Sequence, residues 1–411
     1  MDHPVSRFAT ATPPKEGNWG CAILVYMETP SQSVAEAFLA RYGRACEGVW
    51  SAPGRINLIG EHTDYNRGLC LPIALSKRAW LAAARRGDDR LRLASLDLPA
   101  PVEVAIDEVG PGNPPNWAAY QAGVVWAMRE AGLTVSGLDA VLGSQVPIGS
   151  GLSSSAAIEG AIAVAADALF NLGLAKDDTG RAQLAALCQR AENHIVGAPT
   201  GGLDQTASLR APAGMALLID FDKLDAVGLP SVRPVPFDPA ADGLILLVIN
   251  TLAPHANVDG QYAARRAACE AAAAKLGVSS LRAIDPDGLP DALAKLQSAD
   301  QVRAVRHIVA ENARVIEAAA ALEARDWGRF GQLMTAAQAS QRDDYRISCP
   351  QSDLTCEVAV ANGALGARQT GGGFGGCVIA LVPLPKVGDV SDAVTKAYDA
   401  QGWTHPDIFR A

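Results

Sequence analysis

The chain has 411 residues, of which 49% are hydrophobic and 19% are charged, so its composition is that of an ordinary globular protein and its length suits two domains. The formal net charge of −9 argues against nucleic acid or an anionic membrane surface as a partner, although it permits a local basic pocket for a nucleotide. The eight cysteines show no C-x-x-C pairing, which is typical of reduced thiols in a cytoplasmic protein rather than of a disulfide framework or a zinc site.

The first 26 residues combine polar residues, two adjacent prolines and one short apolar patch. They lack the basic start and the long apolar segment of a signal peptide. We expect residues 1–26 to form a disordered N-terminal tail. Met27 precedes the start of an amphipathic helix, so it is an alternative translation start.

The next informative stretch, residues 51–71, reads SAPGRINLIGEHTDYNRGLCL. A short apolar run delivers Glu61, His62 and Asp64 close together, and Arg55 lies just upstream. Clustered carboxylates and an imidazole suit sugar hydroxyls. By composition alone, the stretch also fits a polar surface loop with a few salt bridges.

The stretch from Val146 to Phe170 is predicted to be a glycine-rich turn that opens a helix. The apolar run at residues 138–146 has the length of a strand, and apolar residues recur at helical spacing after Leu152. The serines of the turn can supply the helix N-cap.

This turn is suited to phosphate. The first turn of a helix presents N–H groups and the positive end of the helix dipole, and Gly149 and Gly151 let a phosphate approach the backbone. The serines add hydroxyls that can reach phosphate oxygens or a metal. The candidate ATP-binding residues are Pro147, Gly149, Ser150, Gly151, Leu152, Ser153, Ser154, Ser155 and Ala156. The alternative is an ordinary capped helix after a glycine turn.

Two other glycine motifs are excluded. The chain has no Gly-Lys pair, so it has no Walker loop. Its one full G-x-G-x-x-G uses Gly371, Gly373 and Gly376 and precedes the strand-like run CVIALV instead of opening a helix. This context argues against a dinucleotide-binding dehydrogenase, and the plain alternative is a tight helix-to-strand turn.

Two acidic residues follow the predicted phosphate helix. Glu192 lies beside the apolar stripe of a second predicted helix, where a surface acid is the usual explanation. Asp204 follows a glycine-rich turn, and in isolation it fits a turn or N-cap residue.

The second half begins after the proline-punctuated residues 220–240, where we place a domain boundary. We predict one domain at residues 27–222 and another at 223–411. The run GLILLVINT predicts a buried strand, and residues 261–276 and 301–323 predict helices.

Three motifs resemble those of a known enzyme family. GRINLIGEHTDYN looks like the galactokinase signature, and PIGSGLSSSAA resembles the phosphate loop of the GHMP small-molecule kinases, which include homoserine, mevalonate and phosphomevalonate kinases. TGGGFGGCVIALV resembles the third motif of that family, and the three occur in the family order. Shorter matches extend the resemblance over nearly the whole chain, from about residue 35 to about residue 383.

The resemblance implies a two-domain α+β fold of the GHMP kinase type. The N-terminal domain would combine a mixed sheet with helices, the C-terminal domain would be of a ferredoxin-like α+β type, and the active site would lie in the cleft between them. The implied reaction transfers the γ-phosphoryl of MgATP to the C1 hydroxyl of α-D-galactose and gives galactose 1-phosphate, the first intermediate committed to the Leloir pathway. The partners would be these small molecules, without nucleic acid or membrane, and the protein would be a cytoplasmic monomer.

The resemblance also implies roles for individual residues. Asp204 would accept or position the proton of the sugar hydroxyl, and Arg55 would pair with Asp204 and the transferring phosphoryl. Glu192 and Ser155 would hold Mg²⁺, which favours few protein oxygens besides phosphates and water. The residues implied to bind sugar are Glu61, His62, Asp64, Gly202 and Tyr262. The loop implied to support the phosphate site contains Gly371, Gly372, Gly373 and Gly375.

Two alternatives stay open at this point. The chain could act on a related sugar such as N-acetylgalactosamine, L-arabinose or galacturonate, or it could be a galactose and ATP sensor without turnover. The unbroken GLSSSAA, together with Asp204 and Arg55, argues against the sensor.

Overall fold

A computed structural model describes residues 29–98, 100–225, 227–253 and 258–411. The tail predicted at residues 1–26 and the alternative start at Met27 lie outside these residues. The helices are α1 (Pro30–Tyr42), α2 (Ala118–Glu130), α3 (Ser154–Leu169), α4 (Asp178–Ala191), α5 (Leu203–Arg210), α6 (Val258–Leu276), α7 (Leu289–Ala294), α8 (Ala299–Glu323), α9 (Trp327–Ala339), α10 (Pro350–Ala361) and α11 (Val387–Gln401). The strands are β1 (Gly48–Asn57), β2 (Leu69–Cys70), β3 (Pro72–Arg85), β4 (Arg90–Ser95), β5 (Val102–Ala105), β6 (Leu138–Ser144), β7 (Met215–Leu224), β8 (Pro230–Pro236), β9 (Leu244–Asn250), β10 (Gly366–Gln369), β11 (Cys377–Pro383) and β12 (Asp407–Arg410).

The first half of the chain forms an eight-stranded mixed sheet. Its main path runs β2-β7-β3-β6-β4-β5, with β1 paired to β3 and β8 paired to β7. The pair β4 and β6 is parallel, and the other pairs are antiparallel. Helix α3 packs closely on β1 because its contact face is made of small residues. A Cβ added at Gly160 would lie 2.8 Å from the Cβ of Ala52.

The second sheet is a four-stranded antiparallel sheet in the order β10-β11-β9-β12. Its strand β9 is the buried strand predicted from GLILLVINT, and the predicted helices at residues 261–276 and 301–323 correspond to α6 and α8. The arrangement of a mixed sheet with helices and a second α+β unit confirms the predicted two-domain α+β fold.

The domain boundary predicted between residues 222 and 223 falls inside β7. Strands β7 and β8 form an antiparallel pair, so the first sheet continues to Pro236. The prolines at 230, 234 and 236 that suggested a linker lie in β8, whose partner is β7. Proline is tolerated at a sheet edge because it costs no interior ladder hydrogen bond there.

A shared hydrophobic core joins the two halves. One cluster of buried residues contains Leu81 and Leu142 of the first sheet, Val248 and Ile379 of the second sheet, and Val315 of α8. Within the described ranges, no helix is both long and apolar enough to cross a bilayer.

Candidate active site

The phosphate-loop region has the predicted order of strand β6, glycine turn and helix α3. Gly149 and Gly151 have φ values of +71° and +76°, which glycine adopts without the strain of a side chain. The prediction that a serine of the turn supplies the N-cap of α3 is confirmed. Ser153 occupies the N-cap position, but its hydroxyl donates to the Asp204 carboxylate.

The glycine loop between β10 and β11 lies against this turn. A Cβ at Gly371 would come within 2.7 Å of the Gly151 carbonyl oxygen, and a Cβ at Gly376 within 2.8 Å of the Ser150 carbonyl oxygen. Contacts this short are not seen for real Cβ atoms, so the loop needs glycine at both positions. The second half of the chain therefore directly contacts the phosphate turn.

Arg55 and Asp204 form a close ion pair. Arg55 Nε donates to Asp204 Oδ1 at 2.9 Å, Arg55 Nη2 lies 2.7 Å from the same oxygen, and Arg55 Nη1 donates to the Gly151 carbonyl at 2.5 Å. Asp204 is the second residue of α5, whose N-cap is Gly202, and the α5 N-cap has no side-chain cap hydrogen bond. The simple explanation of Asp204 as a capping residue is therefore wrong.

Glu192 starts the π-helical turn Glu192–Val196 that extends α4, and it is 4% exposed, so the surface-acid explanation is also wrong. Burial, and then the charge of Asp204, raise its pKa to about 7, although hydrogen bonds from Gln205, Thr200 and Ser155 oppose this. Gln205 Nε2 donates to Glu192 at 2.6 Å. Ser155 of the phosphate turn lies close enough to this carboxylate to act on its pKa.

Two cavities meet at the ion pair. The larger has a volume of about 810 Å³, within the usual range of ligand pockets, and the smaller has a volume of about 140 Å³. Arg55, Asp204 and Gly372 line both cavities. The larger cavity is also lined by residues of the phosphate turn, namely Ile148, Gly149, Gly151, Ser153, Ser154 and Ser155.

The far end of the larger cavity was not predicted from the sequence. Its walls are mainly apolar and include the side chains of Trp117 and Tyr120, which suit a flat aromatic group. The other residues of this end are Leu98, Gly112, Pro114, Pro115, Asn116 and Ala119. The closely spaced aromatics after two prolines, in PPNWAAY, were the available signal.

The smaller cavity gathers the predicted sugar-binding residues, Glu61, His62, Asp64, Gly202 and Tyr262. Burial, together with the charge of Asp204, raises the pKa of Asp64 to about 6. A Cβ at Gly201 would lie 2.2 Å from Asp64 Oδ2, so this glycine makes room for the carboxylate. The rings of His62 and Tyr262 lie 4.9 Å apart between centroids.

The polar atoms of Glu61 and His62 are already engaged by the protein. Glu61 accepts hydrogen bonds from Arg368, from the Thr370 hydroxyl at 3.3 Å and from the Gly371 N–H at 3.0 Å. His62 Nε2 lies 3.1 Å from the Gly372 carbonyl and Nδ1 lies 2.7 Å from the Tyr65 hydroxyl.

The protonation of His62 follows from these contacts. Burial lowers its pKa to about 3, so the ring is neutral near pH 7. A carbonyl only accepts, which places the single proton on Nε2 and makes Nδ1 the acceptor of the Tyr65 hydroxyl. Nε2 thereby holds the signature motif against the glycine loop, whereas Nδ1 forms a bond within the motif.

Comparison with known proteins identifies the family. The galactokinase galactose-binding signature matches residues 36–85, the GHMP kinases N-terminal domain matches residues 119–211, and the GHMP kinases C-terminal domain matches residues 318–400. A galactokinase from Streptomyces coelicolor is 48% identical over 386 residues, which are 93% of this chain and 97% of that protein. The chain belongs to the galactokinase family.

Other relatives agree. A galactokinase from Mycobacterium tuberculosis is 47% identical over 88% of this chain and 96% of that protein. The crystal structure of Lactococcus lactis galactokinase complexed with galactose matches with a TM-score of 0.84 and 31% identity, over 92% of this chain and 96% of that chain. Methanococcus jannaschii mevalonate kinase, at 18% identity and a TM-score of 0.63 over 88% and 97% of the two chains, shares the fold.

Proposed function

We propose that the protein transfers the γ-phosphoryl of ATP to the C1 hydroxyl of α-D-galactose and forms galactose 1-phosphate. The observation that carries this proposal is the position of the Arg55–Asp204 pair on the shared wall of the two cavities. The larger cavity, with its phosphate turn and aromatic end, suits ATP. The smaller cavity, lined by polar side chains, suits one sugar.

Asp204 is proposed to accept the proton of the reacting hydroxyl. Its carboxylate is held by Arg55 and by the Ser153 hydroxyl, so its orientation is set before substrate binds. Arg55 reaches from Asp204 to the Gly151 carbonyl and so lies where the transferred phosphoryl must pass between the cavities. A guanidinium group there opposes the negative charge that spreads over the equatorial oxygens of the phosphoryl group during its transfer.

Ser155 and Glu192 are proposed to hold Mg²⁺ together with the phosphates of ATP. A hydroxyl and a carboxylate are oxygen ligands of the kind that magnesium prefers, and Ser155 lies close enough to Glu192 to lower the pKa of its carboxyl. Burial and the charge of Asp204 raise the pKa of Glu192, and a cation bound beside it would oppose both effects. When bound, the ion would neutralise charge on the β- and γ-phosphates.

The remaining proposals concern the context of the enzyme. We propose a monomer with galactose and ATP as its small-molecule partners. We place it in the cytoplasm because the seven cysteines in the described part of the chain are free thiols, which suit a reducing compartment. We also propose that the N-terminal domain ends between Pro236 and Leu244, where the chain leaves the first sheet for the second.

The test of the reaction is an ADP-release assay with galactose, N-acetylgalactosamine, L-arabinose and galacturonate. We expect the highest kcat/KM with galactose. A higher value with another sugar would assign the protein to that sugar. ATP binding without ADP release for every sugar would identify a sensor and overturn the proposal.

The proposed base is tested with Asp204→Asn. We expect kcat to fall by about a hundredfold to ten-thousandfold, while ATP binding persists because the phosphate turn is untouched. Asp177 is a matched control, since it does cap a helix by accepting from the Gly180 N–H at 2.8 Å. Asp177→Asn should leave kcat unchanged. An Asp204→Asn variant within threefold of the parent kcat would end the assignment of Asp204 as the base.

A further inference from the structure

Asn57 is a buried polar residue of the smaller cavity that the proposed reaction does not yet use. It is the last residue of β1 and lies two positions after Arg55, so the two side chains project from the same face of the strand. Both line the smaller cavity. Asn57 is 1% exposed, and neither its Oδ1 nor its Nδ2 has a hydrogen-bond partner among the residues that the structure describes.

The backbone of Asn57 is firmly held. Its N–H donates to the Thr370 hydroxyl at 3.2 Å, and its carbonyl accepts from the same hydroxyl at 2.8 Å and from Arg368 Nη1 at 3.2 Å. These bonds connect the end of β1 with the end of β10 and fix the point from which the side chain projects. Asn57 therefore keeps its amide at the cavity.

An unpaired buried donor or acceptor costs about 1–3 kcal/mol. The Asn57 amide leaves both its NH₂ group and its carbonyl oxygen unpaired, whereas an apolar side chain of the same size would have no such groups. Buried polar groups without a partner are rare in native proteins, and a site that awaits a ligand explains one. Because Asn57 lines the smaller cavity, a molecule bound there can supply the partner of this amide.

The chemistry of the amide selects the kind of partner. Nδ2 donates hydrogen bonds, whereas Oδ1 only accepts them. An ionised phosphate offers acceptors alone, so it could satisfy Nδ2 and would leave Oδ1 unpaired. A sugar offers neighbouring hydroxyls that each donate and accept, and it can satisfy both atoms. Asn57 also lines only the smaller of the two cavities, away from the phosphate turn.

We propose that Asn57 binds hydroxyls of the sugar substrate and contributes to sugar specificity, an inference that rests on the proposed function of the smaller cavity. Its place beside the Arg55–Asp204 pair puts the amide near the reacting end of the sugar. The polar atoms of Glu61 and His62 already form hydrogen bonds within the protein. The amide of Asn57 can therefore offer the sugar hydrogen bonds that these two neighbours do not.

The test replaces Asn57 with leucine, which has a similar shape and no hydrogen-bonding atoms. We expect the galactose KM of the full-length enzyme to rise about tenfold to a hundredfold, with the ATP KM within twofold of the parent. Without sugar, Asn57→Leu should keep or raise the melting temperature, because it removes two unpaired buried atoms. It should lose most of the stabilisation that galactose gives to the parent.

Asn312 provides the matched control. It is also buried, but its Oδ1 accepts from the Leu69 N–H at 2.8 Å and its Nδ2 donates to the Ile308 carbonyl at 2.8 Å. Asn312→Leu should therefore lower the melting temperature without sugar. Opposite effects of the two substitutions distinguish a ligand-binding asparagine from a structural one.

Deoxy sugars identify the contact. The 2-, 3-, 4- and 6-deoxygalactoses are compared with galactose in the parent and in Asn57→Leu. For at least one deoxy sugar, the kcat/KM of the parent should be lower than with galactose. For the same sugar, the kcat/KM of Asn57→Leu should differ little from its value with galactose, because the variant already lacks the contact with that hydroxyl. The proposal would be overturned if the variant had an unchanged galactose KM. It would also be overturned if every deoxy sugar lowered the kcat/KM of the variant as much as it lowers that of the parent. If Asn57→Leu does not fold, Asn57→Ala gives the same comparison.

A failure of the proposed function has a different signature. The parent itself would then release no ADP with galactose. A parent that turns over galactose, with a variant that behaves like it, would overturn the role of Asn57 alone.

Discussion

Replacing Arg368 tests what joins the signature motif to the second sheet. Arg368 is fully buried in β10, and it contacts Glu61 directly and Glu311 of α8 at 3.7 Å. Its Nη1 also donates to the Leu58 carbonyl at 2.9 Å. We predict that Arg368→Met lowers the free energy of unfolding by about 3–5 kcal/mol, because it leaves buried carboxylates without their partner.

The two carboxylates respond differently to their surroundings. Burial raises the pKa of Glu61 in spite of Arg368. At Glu311 burial also acts to raise the pKa, but Arg314 and Arg368 outweigh it and hold the pKa at about 2. Among the described residues, Arg368 is the one cation in a salt bridge with Glu61, whereas Glu311 also pairs with Arg314 at 2.7 Å. Most of the loss should arise at Glu61.

The assay is urea unfolding followed by tryptophan fluorescence, with the parent, Arg368→Met, Glu61→Gln and the double variant. The double variant should lose less than the sum of the single losses, because the uncharged amide does not need the arginine. Arg85→Met is the control, since Arg85 pairs with Glu47 at 2.7 Å while half exposed and should cost under about 1 kcal/mol. Equal, small losses for Arg368→Met and Arg85→Met would refute the reasoning.

Three further predictions concern the site and the tail. Ser155→Ala should weaken turnover at limiting Mg²⁺ and leave the melting temperature nearly unchanged, and full activity at limiting Mg²⁺ would instead point to Ser154. The galactose KM should rise as the pH falls through about 6, because Asp64, whose pKa is raised to about that value by burial and by Asp204, then takes up a proton. Asp64→Asn should remove this pH dependence, and a parent KM that does not vary between pH 5 and pH 7.5, values on either side of the Asp64 pKa, would contradict the role of its carboxylate. Deleting residues 1–26 should leave activity and stability nearly unchanged, and a loss of soluble protein on deletion would contradict this.

Features that depend on neighbouring residues could be predicted from the sequence. The strand, glycine turn and helix around the phosphate site follow from local periodicity and from glycine spacing, and β6 and α3 have the expected positions. The buried strand β9 was equally clear from its continuous apolar run. These signals are local because the 2-residue and 3.6-residue periods are visible within one element.

Features that depend on distant pairs could not be predicted from residue patterns alone. Arg55 and Asp204 are 149 positions apart, and Arg368 is 307 positions from Glu61, so no spacing in the sequence connects them. For the same reason, the sequence pattern could not show that the hydroxyl of the N-cap residue Ser153 donates to the distant Asp204 instead of to the helix. The family resemblance implied the pair of Arg55 and Asp204, but it did not indicate the pair of Arg368 and Glu61.

The aromatic end of the larger cavity shows another limit. Trp117 and Tyr120 carry no charge and form no motif, and aromatic residues at the start of a helix usually pack into a core. Only the fold shows that they face the same cavity as the phosphate turn.

The hydrophobic core that runs through both sheets has a consequence for engineering. Residues such as Leu142 of the first sheet and Val248 of the second belong to one packed cluster, so the two halves share part of their hydrophobic core. A chimera that takes one half from a relative with a different sugar preference would have to repack this cluster, and mismatched core volumes are destabilising. The two halves are therefore not exchangeable modules, and point substitutions around the smaller cavity are the more practical way to alter its choice of sugar.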